Sequence, residues 1–116
     1  MKALHAAEKG ELDPFDPHNA VITDIQLAPR NADGKVEYTT TFTLHKPVDM
    51  SRSSSVMVYE VVNRGNKILP RFLNVGISGS NPAGDGFTYR TGNVYLWSGW
   101  QGDIAFDPTS VLMRFV

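Results

Sequence analysis

The sequence predicts an α+β, mainly β domain built on a mixed sheet, with one or two short helices. Three observations carry this prediction. Two stretches of period-two alternation flank an Asp33-Gly34 pair, and two apolar runs, Val56 to Val62 and Asn93 to Ser98, each pass straight into a polar, glycine-bearing loop. Gly76, Gly79 and Pro82 break up the stretch in which a longer helix would otherwise start. At 116 residues the chain makes one domain, 1–116, with a modest core.

Residues 1–19 read as a turn-rich opening segment and 20–116 as the mixed-sheet domain. Asp13-Pro14-Phe15-Asp16-Pro17 builds turns, because each proline fixes its own φ and drives the preceding Asp out of the helical region. Val21, Thr23, Ile25 and Leu27 alternate with Ile22, Asp24 and Gln26, which predicts a half-buried strand. Val36, Tyr38, Thr40, Phe42 and Leu44 alternate with Glu37, Thr39, Thr41 and Thr43, and the β-branched threonines favour a second strand. The Asp33-Gly34 pair between them supplies the positive φ of a hairpin turn, so an N-terminal antiparallel hairpin is expected.

Val56 to Val62 shows little alternation, as an interior strand covered on both faces would. Ile68 to Ser80 reads as loop, with room for one helical turn at Leu69 to Asn74. Ala83 to Thr91 reads as a short helix ended by Gly92, with Phe87 and Tyr89 facing the sheet. Asn93 to Ser98 is a strand beside Val58, parallel pairing being open. After a break at Asp107-Pro108, Thr109 to Val116 reads as a final apolar strand, free to pair with another copy of the chain.

The net charge of -1 and the dispersed Lys and Arg give no basic face, which argues against a nucleic-acid binder. Without cysteine there is no disulfide framework and no thiolate zinc site, so a cytoplasmic location is expected. No apolar run reaches membrane-spanning length, and Met1 to Lys9 lacks the apolar stretch of a signal peptide. Neither a membrane partner nor a cofactor is expected.

The loops also carry a resemblance. Asn19-Ala20-Val21-Ile22-Thr23-Asp24, Leu27 to Tyr38, the strand end Tyr59-Glu60-Val61-Val62-Asn63-Arg64-Gly65-Asn66-Lys67, then Gly84-Asp85-Gly86-Phe87 and Leu96-Trp97-Ser98-Gly99-Trp100-Gln101-Gly102-Asp103 are similar to a segment of large, poorly characterised bacterial α/β-hydrolase-domain proteins. The similarity covers roughly residues 13 to 104. It implies that the domain resembles the first part of an α/β-hydrolase and that Val56 to Val62 is the third strand of such a sheet. It further implies that Asn63, Arg64, Gly65 and Asn66 open the loop that gives one backbone N–H to the oxyanion side. Gly99, Trp100, Gln101, Gly102 and Asp103 form the second candidate ligand loop. Taken alone, Asn63 to Asn66 also reads as a tight turn after a buried strand.

The nucleophile elbow, G-x-S-x-G, is expected after the second glycine loop, and residues 104–116 hold no such motif. Gly76-Ile77-Ser78-Gly79-Ser80 has serine in place of the last glycine and lacks a preceding strand, so no catalytic residue is assigned. His5, His18 and His45 have no partner at general-base or metal-ligand spacing, and the Asp13, Asp16, His18 group reads as turn structure rather than a metal site. Trp97 reads as core, and Trp100 as cover for a sheet edge or interface. The expected function is an oligomeric binding or structural unit without catalysis, most simply a homodimer, with a small-molecule ligand at the loops. The alternative is a fragment of an esterase-like serine hydrolase contributing an oxyanion-side loop.

Overall fold

The structure, a computed structural model, describes residues 1–105 and 111–115. It holds strands β1 (Lys2–Leu12), β2 (Val36–Lys46), β3 (Met57–Val61), β4 (Val94–Ser98) and β5 (Met113–Phe115), with helix α1 (Leu69–Leu73) and helix α2 (Phe87–Arg90) between β3 and β4. All the strands share one sheet, in the order β1-β2-β4-β3, with β5 also paired to β2. β1 runs antiparallel to β2 over its whole length, from Lys2 opposite Lys46 to Leu12 opposite Val36. β4 is antiparallel to β2 and parallel to β3, so the chain is a mixed-sheet, mainly β domain. A parallel pair needs a crossover connection, and α1 and α2 form part of it.

Several elements differ from the sequence reading. The hairpin partner of β2 is not Val21 to Leu27 but β1, which occupies most of the segment read as a turn-rich opening. Residues Pro17–Val21 and Ile25–Leu27 form short 3-10 turns instead. The Asp16 carboxylate accepts the His18 N–H at 2.8 Å to start the first turn, and Asp24 at φ 58 interrupts any extended run. Ile25 is buried, whereas Val21 and Leu27 point to solvent. The Asp33-Gly34 turn does form, with Gly34 at φ 74, but it closes the connection from the 3-10 turns back to β2. Asn31 fixes that turn by accepting the Lys35 N–H at 3.0 Å and donating to Glu11 and Glu37 at 2.8 and 3.1 Å.

β3 is an edge strand, not an interior one, and Met57, Tyr59 and Val61 are 48–66% exposed. Leu69 to Leu73 is helical where loop was expected, because Pro70 suits the first turn. α2 is shorter than Ala83 to Thr91, since Gly84 and Gly86 adopt positive φ. It buries Thr88 rather than Phe87 or Tyr89. β5 pairs along one edge with Tyr38 to Thr40 of β2 in the same chain. Asp107, Pro108, Thr109, Ser110 and Val116 lie outside the described residues.

The strand register divides the sheet into two unlike faces. On one, Thr43, Tyr95, Trp97 and Val62 are buried, and Leu69 and Leu73 of α1 pack against Tyr95, Trp97, Val62 and Val111. Glu60 fastens this layer. Its carboxylate accepts the Ile68 N–H at 2.9 Å, the Leu69 N–H at 3.0 Å and the indole N–H of Trp97. α1 and α2 are joined by a reciprocal buried pair, in which Asn74 donates to the Thr88 hydroxyl at 2.9 Å and accepts the Thr88 N–H at 2.8 Å. On the other face, one row runs Leu4, Leu44, Leu96, Tyr59 across four strands and the next runs Ala6, Phe42, Ser98, Val61. None of these eight residues is buried.

The same imbalance shows in bulk. The Cα radius of gyration is 17.3 Å, against about 13 Å for a compact chain of this length. The accessible surface is 7658 Å², against about 6,300 Å² for a folded monomer of this mass. We expect Glu60→Ala to lower the unfolding free energy by about 2–4 kcal/mol in urea, because three donors lose their acceptor. Glu60→Gln should recover part of that loss, since its carbonyl oxygen still accepts.

Candidate functional site

Parallel pairing of β3 and β4 brings the loops that follow them to the same end of the sheet, where ligands gather in open α/β sheets. Asn63, Arg64, Gly65 and Asn66 form a tight turn closed by Asn66 N–H to Asn63 C=O at 3.0 Å. Its two central residues lie in the left-handed region, Arg64 at φ 48 and Gly65 at φ 77, which is the type I′ arrangement. Glycine suits the second position because it adopts this φ without steric cost.

The second loop locks onto the first. Gln101 accepts the Arg64 backbone N–H at 2.7 Å, and the Arg64 guanidinium meets Asp103 at 3.1 Å. Trp100 is 53% exposed but donates its indole N–H to the Val62 carbonyl at 2.8 Å, so it covers the end of β3. Gly65 C=O accepts the Val111 N–H at 3.1 Å, and Gln101 C=O accepts the Met113 N–H at 3.1 Å. Gly99 is buried against Leu112, where a Cβ would overlap backbone atoms. Gly102 lies at the exposed turn before Asp103. The structure therefore brings the two candidate loops together as one hydrogen-bonded unit. The Arg64 N–H, one candidate oxyanion donor, is already engaged.

A shallow crevice of about 400 Å³ adjoins the turn, lined by Asn63, Asn66, Lys67, Ile68 and Arg71. Its cationic and carboxamide groups suit an anionic or polar ligand, and it contains no nucleophile or general base. Ser78 lies elsewhere in a turn, where its hydroxyl accepts the Asn81 N–H at 3.0 Å and meets Ser80 at 3.2 Å. Asp13 pairs with Lys35 at 2.6 Å, which holds its carboxyl below the usual range. Among the described residues no three His, Cys, Asp or Glu side chains converge as metal ligands, and no helix is long and apolar enough to cross a membrane.

His5 and His45, which have no partner spacing in the sequence, share the face of Thr43 and Trp97. His5 Nδ1 shares a hydrogen bond with the buried Thr43 hydroxyl at 2.9 Å, and Lys67 donates to the same oxygen at 3.2 Å. The His45 ring stands edge-on to Trp97, with centroids 5.0 Å apart. Burial, with the nearby Lys67 and His5, holds its pKa below the ordinary 6.5. Sequence reasoning missed Glu60 and Thr43 as organising residues, and it named Gln101 as a loop residue without its bond to Arg64. Glu60 carried a signal, being the one charge inside an apolar strand, eight residues ahead of Ile68 at the helix start.

Because the folded chain resists protonating His45, the unfolded chain binds more protons as pH falls through about 6.5. Stability is then complete above that pH and declines below it. We expect the urea midpoint to fall between pH 7 and pH 5, and His45→Gln to flatten that fall. We also expect Gln101→Ala to destabilise by about 1–2 kcal/mol, and Asp103→Ala by under about 0.5 kcal/mol, as its ion pair is exposed. Equal effects in urea unfolding would refute this ranking.

In comparisons with known proteins, no protein-family model, curated protein or solved structure matches the chain.

Proposed function

We propose that this chain is a self-associating binding or structural module related to the opening part of an α/β-hydrolase sheet, without catalytic activity of its own. The observation that carries this reading is the apolar sheet face of Leu4, Leu44, Leu96, Tyr59 and their neighbours, which remains half-buried to exposed short of the buried Val36 at its far end, while the opposite face holds the Tyr95, Trp97 and Val62 core. An exposed apolar patch of that extent marks a contact surface. The serine of the nearest elbow-like sequence is engaged in turn hydrogen bonds, which favours a non-catalytic role. The absence of cysteine favours a reducing, cytoplasmic setting. The crevice beside Asn63 and Asn66 is the place for a small anionic ligand.

A second reading makes the chain a fragment of an esterase-like serine hydrolase that contributes an oxyanion-side loop. The observation favouring it is the sheet itself. The order β1-β2-β4-β3, with β2 antiparallel to its neighbours and β3 parallel to β4, resembles the way an α/β-hydrolase sheet begins. Against it, the Arg64 amide of that loop is held by Gln101.

Light scattering on a sizing column should return a dimer at micromolar concentration, and a monomer at every concentration would overturn the self-association. Hydrolysis of a chromogenic short-chain ester should stay at background. Turnover that disappears in Ser78→Ala would instead make the chain an enzyme.

A further inference from the structure

We infer that the uncovered sheet face is the interface with a second copy of this chain, stacked face to face about a two-fold axis, with Lys2 and Lys46 of one copy meeting Glu8 of the other. This rests on the proposal that the chain self-associates, and it specifies the surface and register.

The border of the face supplies the argument. Lys2 and Lys46 sit directly opposite each other on β1 and β2 and share this face with the apolar rows. Like charges placed opposite on neighbouring strands are unfavourable, and among the described residues neither lysine is in an ion pair. Glu8 stands on the same face, six residues further along β1 and opposite Thr40, about 20 Å from Lys2 at the rise of an antiparallel strand. The face is therefore positive at one end, negative at the other and apolar between.

A two-fold axis lying in the plane between two such faces, perpendicular to the strands, reverses the strand direction and keeps each strand over its own copy. If it passes midway between the two apolar rows, each row meets the other row of the partner. Leu4 then stacks on Ala6, Leu44 on Phe42, Leu96 on Ser98 and Tyr59 on Val61. Large residues meet small ones at two of the four positions, as interdigitating sheet faces about 10 Å apart require. The same operation sets Glu8 of each copy over Lys2 of the other with Lys46 beside it, so each end pairs one carboxylate with two otherwise unpaired ammonium groups.

The area is also of the right order. The accessible surface of 7658 Å² exceeds that expected for a folded monomer of this mass by about 1,400 Å². A standard interface removes about 800 Å² from each partner. Stacking of this one face would bring the chain much closer to an ordinary folded surface.

The test uses the whole chain, with the dissociation constant read by sedimentation and folding checked by circular dichroism. Glu8→Lys, and separately Lys2→Glu with Lys46→Glu, should each weaken the dimer by about tenfold or more. The triple variant carrying all three changes should restore it to within about threefold of the parent. Ala6→Lys, an exposed change that leaves the core intact, should abolish association. A dimer that tolerates all of these variants overturns this interface while leaving self-association standing. A dimer lost only in Val61→Pro places the contact at the β3 edge and overturns it as well. A parent chain monomeric throughout removes both proposals.

Discussion

The arrangement of this domain depends on one carboxylate. Glu60 reaches from β3 to the indole of Trp97 on β4 and to the first amides of α1, so one side chain ties strand, neighbouring strand and crossover helix together. Trp97 is the largest fully buried side chain, and its indole N–H must be satisfied wherever the ring goes. A helix of five residues has little stability of its own, and its first amides need an acceptor from outside. Both needs are met at the same two oxygen atoms. The register of β3 against β4 and the placing of α1 over Tyr95 and Val62 follow from that meeting point.

Much of the strand content was legible and much of its partnering was not. β2, β3 and β4 could be read from apolar or β-branched runs, and Gly34 from its turn chemistry. β1 could not, because Lys-Ala-Leu-His-Ala-Ala-Glu-Lys has little strand propensity and is extended only through its pairing with β2. The alternation of Val21 to Leu27 was real, but β1 already holds the edge of β2 that such a strand would need. Which face of β2 is covered was equally hidden. Val36, Tyr38, Phe42 and Leu44 look like the buried side, yet of these only Val36 is buried, and α1 packs on the face that carries Thr43, Tyr95 and Trp97. The hand of the β3 to β4 crossover decides the covered face, and alternation along β2 carries no information about it.

The candidate loops were legible as locations and not as a mechanism. Glycine after an apolar strand marks a place where backbone must turn tightly, and both loops do so. That Gln101 would cap Arg64, or that Gly99 would admit the Leu112 backbone, depends on contacts between residues far apart in sequence. These bonds hold the turn in one conformation. Such a turn can present a fixed surface to a ligand, but it offers few of its backbone donors.

β2 is the strand that every early and late part of the chain needs. It pairs with β1 before it in sequence, with β4 about fifty residues after it, and with β5 near the end of the described chain. Closing contacts at such separations is slow, because loop entropy is lost before pairing repays it. During synthesis β1 can pair once β2 has emerged, but the far edge of β2 then waits for β4 and β5. Through that interval an unpaired strand edge carrying Phe42 and Leu44 is open to the surroundings. The hazard of misassembly for this chain therefore belongs as much to the seconds of its synthesis as to its finished surface.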